Sequence, residues 1–105
     1  MRTFDHVGIP TSEPKPGEVY NEGMKVWLTD FAKSPNRIEW LRFDKDSWMP
    51  QLIQSTTHMA YRVTDPEAEM KGKTVLLPPT DCGEGNWIAF VEEEGIAVEL
   101  MWQVK

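Results

Sequence analysis

His6 and His58 are the only histidines among 105 residues, and both sit in the same local pattern. Asp5-His6-Val7-Gly8-Ile9 and Thr57-His58-Met59-Ala60-Tyr61 each run histidine, apolar, small, apolar. Two glutamates recur in the same way, each after a β-branched residue in an apolar run: Ile38-Glu39-Trp40-Leu41 and Val98-Glu99-Leu100-Met101. A carboxylate in mid-strand among apolar neighbours costs several kcal/mol unless something compensates it. Two neutral imidazoles and two carboxylates make a suitable first shell for a divalent transition metal, with Zn, Ni, Co, Mn and Fe all compatible. The plainer alternative is that each glutamate hydrogen-bonds a histidine across a sheet, or that one of them faces solvent. Recurrence of both residue types in the same order favours a shared metal site.

Short strands must position these groups. Aromatic and β-branched clusters are bounded by Pro, Gly, Asn and Asp at short intervals, which marks many brief strands rather than long helices. Strands are expected over Thr3 to Pro10, Lys25 to Phe31, Arg37 to Phe43, Thr57 to Val63, Val75 to Leu77, Trp87 to Glu92 and Ile96 to Trp102. The stretch Thr11 to Gly23 contains Pro14, Pro16 and Gly17 and reads as a loop, with room for a short strand near Glu18 to Tyr20. Pro78 to Gly85 reads as another, and Asp44 to Ser55 as a linker with one helical turn after Pro50. A short helix follows Asp65: aspartate can cap it, Pro66 suits its first position, and Gly72 can end it in the left-handed region. Strand alternation places Phe4, His6 and Gly8 on one face, and His58, Ala60 and Arg62 on the equivalent face. Gly8 and Ala60 then leave room beside each histidine.

Composition bounds the rest. One domain is expected, with a net charge of -6 that repels phosphate backbones and anionic lipid, so neither nucleic acid nor membrane is an expected partner. The single Cys82 cannot form an internal disulfide, and the N-terminal residues are too polar for a signal peptide, so a cytoplasmic protein is expected. Five tryptophans include three candidate cleft residues, Trp27, Trp48 and Trp87, although core packing is the commoner use of tryptophan in a small domain.

Phe4-Asp5-His6-Val7-Gly8-Ile9, Thr57-His58-Met59-Ala60, and Ile88-Ala89-Phe90-Val91 through Gly95 to Val98-Glu99-Leu100 resemble the vicinal oxygen chelate superfamily. That superfamily includes glyoxalase I, bleomycin-resistance proteins and extradiol dioxygenases. The resemblance spans the chain and implies an α+β fold: two tandem βαβββ modules whose curved mixed sheets surround a cleft. Module one would cover about residues 1–45, a linker about 46–56 and module two about 57–105, with a loop in place of the first module's helix. It implies His6, Glu39, His58 and Glu99 as metal ligands, and a metal-dependent lyase or isomerase acting on a small α-oxygenated (hydroxy or keto) compound. Glu99 or Glu39 would serve as the base, with Glu99 the first choice. Arg62 would meet a substrate carboxylate or phosphate, or else form a salt bridge at its strand end. The first-module loop and the superfamily's habit together imply a homodimer. The other readings are a small-molecule binding protein of the bleomycin-resistance kind, which generally lacks the ligands, and a dioxygenase, against which a second glutamate argues.

Overall fold

The computed structural model describes residues 1–104. Its elements run β1 (Arg2–Pro10), β2 (Val19–Asn21), β3 (Val26–Leu28), a 3-10 turn (Phe31–Lys33), β4 (Ile38–Phe43), α1 (Gln51–Ser55), β5 (His58–Val63), α2 (Pro66–Met70), β6 (Val75–Asp81), β7 (Asn86–Glu93) and β8 (Ile96–Gln103). The strands form one mixed sheet in the order β2-β3-β4-β1-β5-β8-β7-β6. The two halves therefore repeat about the β1–β5 junction. Histidine strands lie at the centre, and glutamate strands flank them.

Register sets the site. β1 and β5 are antiparallel, pairing His6 with Ala60 and Gly8 with His58. Each also has a parallel neighbour, β4 pairing Glu39 with Gly8 and β8 pairing Glu99 with Ala60. Paired residues on adjacent strands point to the same face. Two rungs result, Glu39-Gly8-His58 and His6-Ala60-Glu99, each with the smallest side chain in the middle.

The sheet curls around this face. Phe43 of β4 and Phe90 of β7 pack in one cluster with Met49, Ile53, Leu77 and Ala97, although they lie four strands apart. In a flat sheet they would be about 19 Å apart at the usual strand spacing. Met49 and Ile53 come from the linker, which is pinned to the β2–β3 turn. Trp48 Nε1 donates to the Gly23 carbonyl at 2.7 Å, and Ser47 Oγ to that of Met24 at 2.8 Å. On the other face of module two, Met70 of α2 covers Val63, Val91, Val98 and Leu100. Asp65 caps α2 by accepting from the Ala68 amide, and Gly72 takes a positive φ of 76°, as the sequence implied. No helix lies between β1 and β2 in module one. There the Lys15 ammonium sits 4.3 Å from the Trp40 ring centre, and the Arg42 guanidinium 5.0 Å from that of Trp27.

Three local expectations are overturned. Phe31 is not in a strand: β3 stops at Leu28, and Asp30 caps a 3-10 turn through the Ala32 amide. β6 continues through Pro78 and Pro79 to Asp81, where a loop was expected. It tolerates them because it is an edge strand with two slips in register, so the missing N–H groups break no inner ladder. Phe4 does not share the histidine face, because a bulge between Phe4 and His6 inserts Asp5 and reverses the alternation. Phe4 packs edge-on against Tyr61 instead. Among the described residues, no helix is long and apolar enough to cross a membrane.

Candidate metal centre

The two rungs bring four groups together. Glu99 Oε1 lies 3.1 Å from His58 Nε2 and 3.4 Å from His6 Nε2. Glu39 Oε1 lies 3.6 Å from His6 Nε2 and 4.0 Å from His58 Nε2. His6, Glu39 and His58 offer one donor atom each within 4.8 Å of one another, a group able to hold a metal ion. Both histidines are buried, at 2% and 1% exposure, and so is Glu99 at 8%.

The donor set fits a divalent cation on two counts. Although carboxylate oxygens lie near, neither His6 Nε2 nor His58 Nε2 makes a directed hydrogen bond, and buried polar atoms rarely stay unpartnered. The Glu99 separations of 3.1 and 3.4 Å also match the roughly 3.0–3.4 Å between neighbouring ligands on a metal with bonds of about 2.1 Å, whereas those of Glu39, 3.6 and 4.0 Å, are wider. Electrostatics agree. Burial opposes charge on His6, but the carboxylates of Glu39 and Glu99 overcome it and push the ring up to about 10. Burial likewise opposes ionisation of Glu99, yet His58 and His6 hold it down at about 2. A concentration of negative charge in a low-dielectric floor favours any cation that can reach it.

The walls differ from the floor. A cavity of about 160 Å³ opens above Glu39, His58 and Glu99, lined mostly by apolar side chains such as Leu41, Phe43, Ile53 and Phe90. Its lining includes no Lys or Arg. Cys82 lies on the wall, and burial, together with the charges of Glu99 and Asp81, raises its thiol above its ordinary range, which keeps it a poor nucleophile. Trp27, Trp48 and Trp87 do not line the cavity.

Arg62 is not brought to the other candidates. Its Nε donates to Asp5 Oδ1 at 2.8 Å, its side chain is 66% exposed, and it is absent from the cavity lining. Two residues of the centre escaped sequence reasoning. Strict alternation sends Asp5 away from His6, but the bulge brings it round to accept from His6 Nδ1 at 2.7 Å. Burial works against the Asp5 charge, while His6 and Arg62 together keep its carboxyl below the ordinary value. Phe31 stacks flat on His6, with centroids 4.1 Å and planes 9° apart, and the Arg37 guanidinium lies over the Phe31 ring, 4.9 Å from its centre. No sequence signal distinguishes Phe31 from a strand residue. The acidic neighbour of His6 was visible but had no assigned direction.

No protein-family model matches the chain, and no curated protein matches it. Solved structures do. A hypothetical protein from Bacillus halodurans C-125 superposes with a TM-score of 0.69 at 17% identity, over 99% of this chain and 96% of its own. Methylmalonyl-CoA epimerase from Mycobacterium tuberculosis superposes with a TM-score of 0.60, also at 17% identity, over 97% of this chain and 88% of its own. These likenesses establish the glyoxalase-like vicinal oxygen chelate fold, with its two-module α+β sheet curled around a cleft.

Proposed function

We propose that this protein is a metal-dependent isomerase or lyase acting on a small α-oxygenated compound, with His6, Glu39, His58 and Glu99 as the ligands of its metal. One observation carries the reading: two unpartnered imidazole nitrogens and two carboxylates converge, and three of the four residues, Glu39, His58 and Glu99, line a mostly apolar cavity. The fold shared with an epimerase is consistent with it.

A divalent cation held there would supply Lewis-acid polarisation of a substrate carbonyl. The chain's own residues would do the rest. His6 and His58 would hold the cation through buried rings, packed against Phe31 and Phe90 respectively. Glu99 would take the proton from the carbon α to the carbonyl and return it, a transfer that needs a carboxylate within reach of that carbon. Glu39, farther from both nitrogens, remains the competing base. The mostly apolar lining would limit the water able to reach that proton. The cavity is about the size of one that holds benzene, so a substrate of about six non-hydrogen atoms fits without rearrangement. With no Lys or Arg on its walls, a phosphate-bearing carrier would have to remain outside.

Exchange of an α-proton into deuterated water, followed by NMR across a panel of small α-hydroxy and α-keto compounds, tests this. Exchange should require added metal. It should also fall about 10²–10⁴-fold in Glu99→Gln, which keeps an oxygen donor but loses the base. Loss in Glu39→Gln with retention in Glu99→Gln would reverse the two roles, and absence of exchange with every compound would favour a binding protein.

A further inference from the structure

The two halves repeat, yet their histidines are not equivalent. His6 has a buried carboxylate behind it, whereas His58 Nδ1 is buried without a partner. The residue before His58 is Thr57, which is exposed, whereas the residue before His6 is Asp5, only 4% exposed. The difference arises in the backbone. The bulge between Phe4 and His6 gives up one regular pair of the central ladder and swings Asp5 to the imidazole side. Both carboxylate oxygens are then used. Oδ2 faces His6 Nδ1 at 2.7 Å, and Oδ1 accepts from Arg62 Nε at 2.8 Å, with Arg37 Nη2 at 3.5 Å. Arg37 Nε also donates to the Asp5 carbonyl at 2.8 Å. A buried carboxylate left unpaired would be costly, and two arginines remove that cost without entering the cavity.

We propose that Asp5, clamped by Arg62 and Arg37, is a positioning residue that holds His6 with its proton on Nδ1 and its Nε2 lone pair turned to the cation. The inference rests on the metal reading above. An ionised carboxylate only accepts hydrogen bonds, so the ring nitrogen facing Asp5 must be the protonated one. The other nitrogen is left free to coordinate, and the flat stack on Phe31 fixes the ring plane. A histidine so held is the stronger donor of the two, since a carboxylate behind the ring raises its basicity. His58, with no partner on Nδ1, is the weaker donor. Arg62 thereby acts through Asp5 and makes no contact with substrate.

Zn2+ titration by calorimetry and long-range ring 1H–15N NMR, on the wild type and on Asp5→Ala, Asp5→Asn and Arg62→Gln, test the assignment. Circular dichroism reports whether each variant folds. The wild type loaded with Zn2+ should show His6 protonated on Nδ1. Asp5→Ala should weaken Zn2+ binding about 10–100-fold and leave the His6 Nδ1–H without its acceptor, shifted upfield and faster to exchange, while the His58 resonances stay in place. Asp5→Asn, which has nearly the same shape and still presents an oxygen acceptor, should lose less and serves if the alanine variant does not fold. Arg62→Gln should weaken binding less than Asp5→Ala. Zn2+ affinity within twofold of wild type in both Asp5 variants, with the His6 Nδ1–H shift unchanged, would overturn the proposal. A wild type that takes up no Zn2+ would defeat the metal reading instead. The ring spectra would then decide Asp5 separately: a His6 Nδ1–H signal protected from solvent exchange in the wild type and lost to exchange in Asp5→Ala upholds its hold on His6, and equal protection in both refutes it.

Discussion

The His58 ring lies directly on the α-carbon of Gly8, its partner in the β1–β5 ladder. A β-carbon built on Gly8 would come within 2.1 Å of His58 Cε1 and 2.5 Å of its Nε2, distances no packed structure allows. Gly8 has no positive φ to justify it, so it is glycine for space alone. Gly8→Ala should push His58 off the shared floor. The expected cost is about 1–3 kcal/mol in urea unfolding, as for overpacked cores, with Zn2+ affinity falling further than stability. Normal Zn2+ binding in a folded Gly8→Ala protein would show that His58 is no ligand.

Uptake of a cation should release protons. Because His6 is pushed up to about 10 by Glu39 and Glu99 against burial, its ring is charged near neutrality, whereas a coordinating imidazole is neutral. Zn2+ affinity should therefore rise with pH, by up to about tenfold per unit for each proton displaced. The same shift acts on the chain without metal. The folded-state value lies above the unfolded one of about 6.5, so this contribution to stability is complete below that pH and fades as pH climbs toward 10. Calorimetry in buffers of different ionisation enthalpy counts the protons released. A count of zero at pH 7 contradicts the linkage.

Ile53 should be costly to truncate. It is 1% exposed and packs with Met49, Leu77 and Phe90, and α1 has only five residues and no side-chain cap to hold it otherwise. Ile53→Ala should lose about 2–5 kcal/mol in urea denaturation. The same change enlarges the cavity that Ile53 lines, so the folded variant should accept bulkier α-hydroxy compounds in the exchange assay. An unchanged unfolding midpoint would mean that the linker does not roof the cleft in solution.

Acid should loosen the start of β1. Arg2 bridges Glu69 of α2 and Glu93 of β7, and Lys73 joins Glu93. Arg2 lowers both glutamates below their ordinary values despite partial burial, so their contribution is present above about pH 4.5 and is lost as pH falls. Arg2→Gln should cost roughly 1 kcal/mol at pH 7 and less at pH 3, since partly exposed pairs are screened. Equal losses at both pH values would point to the Arg2–Tyr61 stacking contact instead.

Much of this was legible because it is local or periodic. The recurrence of His6 with His58 and of Glu39 with Glu99 picked out two modules and four candidate ligands, and the Asp65-Pro66 start and Gly72 stop specified α2. The Glu94-Gly95 turn, with φ of 52° and 83°, closes the β7–β8 hairpin between the two strands expected over Trp87 to Glu92 and Ile96 to Trp102. Only the tertiary structure decided the rest. Alternation assumes an unbroken strand, so the bulge that brings Asp5 to His6 and turns Phe4 away had no trace in residue order. Residue type marked Phe31 for a strand, and its stack on His6 arises from a turn closed against a strand outside its own hairpin. Met49 and Ile53 read as part of a linker until the curl of the sheet gave them a cleft to fill. A single sequence records periodicity and turn chemistry. Which side chains meet across the curl depends on register and bulges, because one extra residue redirects every group that follows it.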